Sequence, residues 1–218
     1  METVYVINMA RSRARWSRWA REARVDVHRI DAIDGRHLEP SHDAYFRRAD
    51  FANRAAKGCA LSHLKAMKTS LAKGDTYAVI CEDDVILNDC VDERLQVIKD
   101  ALPDEWDVVF LTREENKSRL PFSTGYDPTG WNFTGTSMYM ISNQAMRRYV
   151  DHVEREGFGR AIDWDLIDFV PQYLLHPFGT YTLDGTTTVQ DEPTAQPLMF
   201  IVVCATLVCA LAVLLLRR

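Results

Sequence analysis

The sequence predicts an α/β fold, a single domain with a mostly parallel central sheet, followed by one C-terminal transmembrane helix. Short apolar runs rich in β-branched residues alternate with amphipathic helical stretches, an order typical of parallel strands joined by helices. The chain has 218 residues, enough for one domain with little room for a second. Its last apolar run, residues 198–216, contains no charged side chain. Together these observations predict one globular domain tethered to a membrane.

The N-terminal part of the chain predicts a strand, a helix and a second strand. Residues 4–7 (VYVI) are apolar and β-forming, and a helical stretch follows at residues 12–24. Residues 25–30 (VDVHRI) alternate between apolar and polar side chains, as a half-buried strand does. Gly35 comes soon after, and glycine there favours a turn with a positive φ angle.

The middle of the chain predicts a helix, a strand and a further helix. Residues 59–73 carry an apolar stripe at helical spacing, with Gly58 just before them and Gly74 as the C-terminal stop. Residues 77–81 (YAVIC) form a short apolar run bounded by turn residues, which predicts a buried strand. Residues 91–101 are amphipathic and predict a helix.

The next part of the chain predicts two strands around a long loop. Residues 106–111 (WDVVFL) predict a buried strand, and residues 136–141 return to strand after the glycine- and proline-containing stretch 112–131. A loop of that length inside a compact domain is usually functional or mobile. Ser142 is placed to cap a helix at residues 144–155.

Composition excludes several classes of protein. The chain is 47% hydrophobic and 26% charged, which indicates an ordinary folded core. Its net charge of −5, with no lysine-arginine run beyond the first helix, argues against a nucleic acid partner. Outside the apolar tail only Cys59, Cys81 and Cys90 remain, without CxxC spacing. This argues against a disulfide framework and a zinc site, and fits a reducing compartment.

Arg11 and Arg15 lie where the first strand runs into the first helix. Backbone N–H groups at such a helix start can receive an anion, and arginines add bidentate donors for phosphate. The alternative is a basic helix face in contact with solvent. The chain has no GxGxxG or Walker-type glycine loop, which disfavours a Rossmann dinucleotide site and a P-loop.

Three consecutive carboxylates, Glu82, Asp83 and Asp84, follow the strand predicted at residues 77–81. In open α/β sheets, ligands bind just past the carboxyl ends of the strands. Grouped carboxylates repel one another unless a cation holds them, and oxygen-only ligands suit Mg²⁺ or Mn²⁺. Such a metal can bridge to a diphosphate and offset charge on a departing phosphate. The alternative is an acidic turn that only solvates a strand end.

Four further polar residues are candidates for the same site. Ser62 and His63 lie near the start of the helix predicted at residues 59–73, where a histidine can also be an ordinary surface or hydrogen-bonded residue. Asp163 and Asp165 are carboxylates beside apolar residues. They fit either an N-cap or turn pair or a catalytic role.

The C-terminal end predicts a membrane anchor. Residues 198–216 would span about 28 Å as a helix, close to the hydrocarbon core of about 30 Å. The N-terminus lacks the apolar segment of a secretory signal. We therefore expect a domain at residues 1–183, a polar linker at 184–197 and a single-pass anchor at 198–216, with the domain in the cytosol.

Seven short motifs, in the same order and at similar spacing over about residues 4–170, resemble those of family 25 glycosyltransferases. This group includes the lipooligosaccharide and procollagen galactosyltransferases. The matching segments are Ile7-Asn8-Met9 with Arg11 and Arg15, Ala32-Ile33-Asp34-Gly35, Gly58-Cys59-Ala60-Leu61-Ser62-His63-Leu64, Val79-Ile80-Cys81-Glu82-Asp83-Asp84-Val85, Trp106-Asp107-Val108-Val109-Phe110-Leu111, Gly135-Thr136 with Tyr139 and Ile141-Ser142, and Ile162-Asp163.

The resemblance implies a GT-A-like fold and an enzyme that moves galactose or a related hexose from a UDP-sugar to a glycan, lipid-linked or protein acceptor. It implies inversion and Mn²⁺ as cofactor. By position, Glu82 and Asp84 would hold the metal and Asp163 would be the base. The residues implied on the nucleotide and diphosphate side are Asn8, Arg11, Arg15, Ser62, His63 and Asp83.

The chain departs from the family pattern in two segments. The family usually has an acid where this chain has Ala10, and Gly-Glu-Ile where it has Ala55-Ala56-Lys57. These changes keep a second hypothesis open, that of a catalytically degenerate member acting as a membrane-tethered binding or scaffold protein. A metal phosphohydrolase is disfavoured, because no DxDxT or paired-histidine motif accompanies the carboxylates.

Overall fold

The structure is a computed structural model that describes residues 3–47, 53–87, 91–112, 123–124, 136–170, 173–177 and 181–183. The helices are α1 (Arg13–Glu22), α2 (Arg54–Lys73), α3 (Val91–Ala101), α4 (Asn143–Glu156) and α5 (Ile162–Phe169). The strands are β1 (Thr3–Asn8), β2 (Asp26–Asp31), β3 (Tyr77–Glu82), β4 (Val85–Leu87), β5 (Val108–Thr112), β6 (Ser123–Thr124), β7 (Met138–Ser142), β8 (Tyr173–Pro177) and β9 (Tyr181–Leu183). Two 3-10 segments, Gly35–His37 and Pro40–Phe46, lie between β2 and α2.

The central sheet is mixed, so the prediction of a mostly parallel sheet is confirmed only in part. Its order is β2-β1-β3-β7-β5-β8-β6 within the described residues. β1 pairs in parallel with β2 and β3, and β5 with β8, whereas β7 runs antiparallel to both β3 and β5. Alternation of strands and helices along a chain does not determine strand direction, and β7 enters the sheet from the opposite end. The carboxyl ends of β1, β2, β3, β5 and β8 therefore share one edge with the start of β7.

Helices cover both faces of the sheet, as the α/β prediction requires. On β1, Tyr5 and Ile7 point into a core that includes α2, α4 and α5, while Val4 and Val6 point into a core that includes Trp19 and α3. Successive side chains of a strand face opposite sides, which is why one apolar run serves both cores. The predicted elements from residue 4 to residue 155 are all present, with shifts of a few residues at their ends.

The start of α2 is the largest such shift. Asn53 is the N-cap, and its side chain accepts hydrogen bonds from the backbone N–H groups of Ala55 and Ala56. Gly58 is thus inside the helix and not in front of it. The predicted stop at Gly74 is confirmed, with a left-handed φ of 79°, and the predicted Ser142 cap accepts from the Ala145 N–H.

Gly35 and Gly58 let the chain after β2 press against the backbone of α2. A Cβ atom built on Gly35 would lie 1.9 Å from the Arg54 carbonyl oxygen. One on Gly58 would lie 2.5 Å from the Ile33 carbonyl oxygen. Among described glycines only Gly74 and Gly157 have positive φ, so Gly35 serves close approach and not the predicted positive-φ turn.

Three predictions fall wholly or mainly outside the described residues. These are the linker at 184–197, the anchor at 198–216 and most of the loop at 112–131. In the part of the chain that the structure describes, no helix has the length and apolarity of a membrane span. β4 and β9, which the sequence pattern did not predict, form a separate antiparallel pair.

Candidate active site

A cleft of about 310 Å³ opens at the sheet edge where β1, β2 and β3 end. Side chains from the three strand ends, from the first turn of α1 and from α2 surround it. It is lined by Ile7, Met9, Arg11, Arg15, Ala32, Ile33, Asp34, Gly35, Arg36, Ala55, Cys59, Ser62, His63, Glu82, Asp83 and Asp84. Seven of the nine residues that the family resemblance implies are in this group, and the exceptions are Asn8 and Asp163.

Asp83 holds the acidic turn after β3 in place. Its side chain is buried and accepts a hydrogen bond of 2.6 Å from the Asn8 amide. It also forms an ion pair of 2.7 Å with the Arg15 guanidinium, whose side chain is only 14% exposed. Asn8 is itself buried and accepts from Arg29 Nε at 2.9 Å. Asp83 therefore ties the end of β3 to β1 and α1.

The backbone of the same turn is held from α1. Arg18 donates to the Asp83 carbonyl oxygen at 2.8 Å, and the Trp19 indole N–H donates to it at 3.2 Å. With the turn fixed in this way, Glu82 and Asp84 are the other two carboxylates along the cleft wall.

A cluster of charges forms the rim of the cleft. Arg11 and Arg36 both pair with Asp34, at 2.5 and 2.7 Å. Hydrogen bonds from Arg36, together with the nearby charge of Arg11, hold the pKa of the Asp34 carboxyl well below its usual range. Asp34 thus stays ionised and orients two guanidinium groups at the mouth of the cleft.

Ser62 joins α2 to the segment after β2. Its hydroxyl donates to the Gly58 carbonyl oxygen at 2.6 Å and accepts from the Ile33 N–H at 2.8 Å. Both contacts belong to the close approach that Gly58 permits. Ser62 lines the cleft, and these two hydrogen bonds position the wall on which it lies.

His63 is completely buried on the cleft side of α2. Its Nδ1 atom lies 3.1 Å from the Tyr139 hydroxyl, and its Nε2 atom lies 3.3 Å from Thr136 Oγ1 and 3.5 Å from Glu82 Oε1. Burial raises the pKa of Tyr139 well above its usual value, so the phenol stays neutral and can accept a hydrogen bond from Nδ1. The surface alternative for His63 does not fit this environment.

Cys59 is a cleft residue that the sequence reasoning did not single out. Burial, and then the charges of Glu82, Asp163 and Asp84, raise the pKa of its thiol well above the usual value. One ligand-type atom from each of Cys59, His63 and Glu82 lies within 4.8 Å of the others. The spacing of Cys59 and His63 was a usable signal, because residues i and i+4 share one helix face.

The two aspartates of α5 have different environments. Asp165 is buried and accepts hydrogen bonds from the Gly159 N–H at 2.7 Å, the Arg160 N–H at 3.2 Å and the Tyr149 hydroxyl at 2.8 Å. Of the two roles predicted for these aspartates, a turn residue or a catalytic residue, the role in a turn therefore fits Asp165. Asp163 lies in the first turn of α5 and is not among the described residues that line the cleft, although its charge acts on Cys59.

The charge of the cleft suits an anion together with a cation. Three guanidinium groups and four carboxylates line it, which gives a formal charge of −1 with His63 neutral. A diphosphate alone would be repelled by the carboxylates. Bound with a divalent cation, it would meet a net positive surface.

Comparisons with known proteins find a matching family and two distant relatives. The model of Glycosyltransferase family 25 (LPS biosynthesis protein) matches residues 1–163. A rat protein named probable inactive glycosyltransferase 25 family member 3 is 31% identical over 133 residues, which are 52% of this chain and 23% of the rat protein. The mouse inactive glycosyltransferase 25 family member 3 is 30% identical over 135 residues, 52% of this chain and 22% of the mouse protein. The match thus spans less than a quarter of either relative.

Likeness to solved structures is weaker. Protein A197 from STIV is 12% identical, with a TM-score of 0.44 and coverage of 88% of this chain and 98% of the other. A similarity at this level supports no conclusion about activity. The family is therefore assigned from the match to the family model, which covers residues 1–163.

Proposed function

Because the chain belongs to glycosyltransferase family 25, we propose that it transfers a sugar, galactose or a related hexose, from a UDP-sugar. The acceptor is a glycan, either lipid-linked or on a protein. The fold proposed for it is GT-A-like, in which the nucleotide-sugar binds at the carboxyl ends of the first parallel strands.

The observation that carries the proposal is the pairing of charges in the cleft. Arg11 and Arg15 face the same space as Glu82 and Asp84, although 67 residues of sequence separate Arg15 from Glu82. A guanidinium carries five N–H donors, so the ion pair of Arg11 with Asp34 leaves further donors for phosphate oxygens. Asn8 and Asp83 are assigned as the residues that hold this arrangement beneath the diphosphate.

The donor atoms fit a hard divalent cation. Glu82 and Asp84 offer carboxylate oxygens, the ligand type that Mn²⁺ and Mg²⁺ prefer. When bound, such an ion would neutralise charge that develops on the departing diphosphate. Ser62 and His63 would form the wall beside the donor, and the buried His63 would help to orient Glu82 from 3.5 Å away.

Asp163 is proposed as the base of an inverting transfer. The acceptor hydroxyl oxygen forms a bond to the anomeric carbon while the bond from that carbon to the diphosphate breaks. UDP leaves with the bonding electrons, and the Asp163 carboxylate takes the hydroxyl proton. Support comes from its charge, which acts on Cys59 in the cleft wall.

The proposed setting is a membrane surface. The apolar stretch at residues 198–216 would act as a single-pass anchor, with the domain in the cytosol. An enzyme held in this way would meet lipid-linked or membrane-bound acceptors. The polar linker at 184–197 would separate the domain from the bilayer.

The test is UDP release from a panel of UDP-sugars, measured on the full chain with and without Mn²⁺. We expect metal-dependent release with one sugar, and its loss in Asp84→Asn. Asp31→Asn is the matched control, because it removes a carboxylate from the neighbouring strand end outside the cleft. Undiminished release by Asp84→Asn would remove Asp84 from the metal site. If the folded wild-type chain releases no UDP from any sugar of the panel, the result would contradict the proposed transfer.

A degenerate member is the second candidate. Both curated relatives are named inactive, and this chain has Ala10 and Ala56 where the family usually has acids. Ala55, next to Ala56, lines the cleft. Calorimetry with UDP and Mn²⁺ separates the candidates. Failure to bind UDP or Mn²⁺ would favour the degenerate member, and tight UDP binding would count against it.

A further inference from the structure

We propose that Cys59, His63 and Glu82 form a second metal site, one that takes zinc or a similar borderline cation. This site goes beyond the proposed transferase and does not rest on it. It uses a thiol and an imidazole, whereas the proposed manganese site uses carboxylate oxygens. Thiolate and imidazole ligands select Zn²⁺ over Mn²⁺ or Mg²⁺.

The distances between the three ligand atoms are close to those that such an ion requires. The ligand atoms of the three residues lie within 4.8 Å of one another, and His63 Nε2 is 3.5 Å from Glu82 Oε1. Tetrahedral zinc with bonds of about 2.0–2.3 Å places its ligand atoms roughly 3.3–3.6 Å apart. The imidazole and carboxylate are already at that separation. The Cys59 ligand atom lies within 4.8 Å of both.

The surroundings of His63 provide the outer shell that zinc histidines need. When Nε2 binds a metal, Nδ1 must carry the proton, and Nδ1 lies 3.1 Å from the Tyr139 hydroxyl. A hydrogen bond of this kind fixes the ring and its tautomer. Binding would replace the contact of 3.3 Å between Nε2 and Thr136 Oγ1.

The backbone supplies two rigid supports for the ligands. Cys59 and His63 are four residues apart on α2, so both side chains leave the same face of one helix. Glu82 ends β3, and its N–H donates to the Ser137 carbonyl oxygen at 2.9 Å. The lack of CxxC spacing disfavoured zinc because that pattern marks sites with several cysteines. A single cysteine with a histidine and a carboxylate does not need it.

The site has three protein ligands and faces the cleft. Three ligands with an open fourth position are typical of zinc sites that bind water or substrate, in contrast to closed structural sites. Glu82 belongs to both this site and the proposed manganese site. Zinc and manganese should therefore compete for that carboxylate.

The test uses Co²⁺ as a spectroscopic substitute for Zn²⁺ on the full, metal-free chain. Thiolate coordination to Co²⁺ gives a near-ultraviolet charge-transfer band that carboxylate ligands do not give. We expect the band in the wild type and in Cys81→Ala, and its loss in Cys59→Ala. Cys81 is the matched control, since it is buried in the core on the other face of β3. Zinc should displace the cobalt and abolish the band.

Affinity provides the second readout. Loss of an outer-shell partner typically weakens metal binding by about 10–100-fold, and loss of the Cys59 ligand should weaken zinc binding by at least as much. If Cys59→Ala fails to fold, the nearly isosteric Cys59→Ser replaces it. An equal band in Cys59→Ala and Cys81→Ala would overturn the site. The assay needs no UDP-sugar, so its failure and a failure of sugar transfer are separate results.

Discussion

Neighbouring carboxylates in the acidic turn have different surroundings, and the difference determines what each can do. Asp83 is enclosed by Asn8 and Arg15, while Glu82 approaches His63 and lines the cleft. An ionised side chain that is buried and paired holds structure, because breaking its pair leaves a charge in a poor solvent. The triplet thus combines a structural residue with candidate ligands.

The first prediction concerns the buried ion pair. Asp83→Ala should lower the free energy of unfolding by about 3–5 kcal/mol, because it removes one partner of a buried pair. Asp31→Ala is the matched control, since Asp31 also pairs with an arginine at 2.7 Å but its side chain is 68% exposed. That change should cost less than about 1 kcal/mol. Urea unfolding measures both, and equal losses would contradict the structural role of Asp83.

The second prediction concerns pH. The folded-state pKa of Asp34 is lowered from its ordinary 3.8, so its ionised form stabilises the fold. Relative to Asp34→Asn, the wild type should be more stable above about pH 4, and this advantage should shrink as pH falls below that value. Urea unfolding of both proteins between pH 7 and pH 3 measures the difference. A constant difference across this range would show that the ion pairs with Arg11 and Arg36 contribute nothing.

At the scale of elements, the contact between α2 and the segment after β2 shapes one wall of the cleft. Gly35 and Gly58 remove the side chains that would keep the two backbones apart, and Ser62 joins them by two hydrogen bonds. The position of Cys59 and His63 relative to Glu82 depends on this contact. A helix glycine is thus retained where alanine would form a better helix.

The third prediction follows from that contact. In an ordinary helix interior, Gly→Ala gains about 0.5–1 kcal/mol. Gly58→Ala should instead destabilise the protein by about 1–3 kcal/mol, because the new Cβ would lie 2.5 Å from the Ile33 carbonyl oxygen. Gly74→Ala is the control, since no atom lies within 4 Å of its added Cβ and only φ strain opposes it. Thermal unfolding measures both changes, and a stabilised Gly58→Ala would refute the close packing.

Most elements could be predicted because their patterns are local. The apolar runs at 77–81 and 106–111 are bounded by turn residues, and α3 and α4 keep helical spacing. The start of α2 could not be predicted in the same way. Asn53 caps the helix five residues before Gly58, and glycine at that point is a helix boundary in most sequences.

At the scale of the whole molecule, the candidate site is a product of topology. Every described residue that lines the cleft lies between Ile7 and Asp84, in the part of the chain that builds β1, β2, α2 and β3. The order of the motifs along the sequence predicted that these residues lie close together, because parallel strands end at a common edge. The reversed β7 was not predictable, because strand direction depends on long-range pairing. The placement of Asp163 likewise depends on long-range packing, so its role as the base is a proposal.

The fourth prediction links the site to global stability. UDP with Mn²⁺ at 100 times the dissociation constant should stabilise the folded chain by about 2.7 kcal/mol. For a domain of this size that corresponds to a rise in Tm of about 5–10 °C. Asp84→Asn should show a smaller rise, which differential scanning calorimetry would detect. An equal rise with UDP in the absence of Mn²⁺ would argue against a metal at the diphosphate.

The antiparallel β7 gives the molecule a further property. β5 ends at Thr112 and β7 begins just after Thr136, and both points lie at the sheet edge that carries Glu82. The chain between them, which also contributes β6 to the far side of the sheet, therefore starts and ends at this edge. Its length and sequence could diverge between descendants of this protein without altering the pairing of β3, β7 and β5. For the proposed transferase, a segment joined at these two points could change without moving the residues proposed to hold the donor.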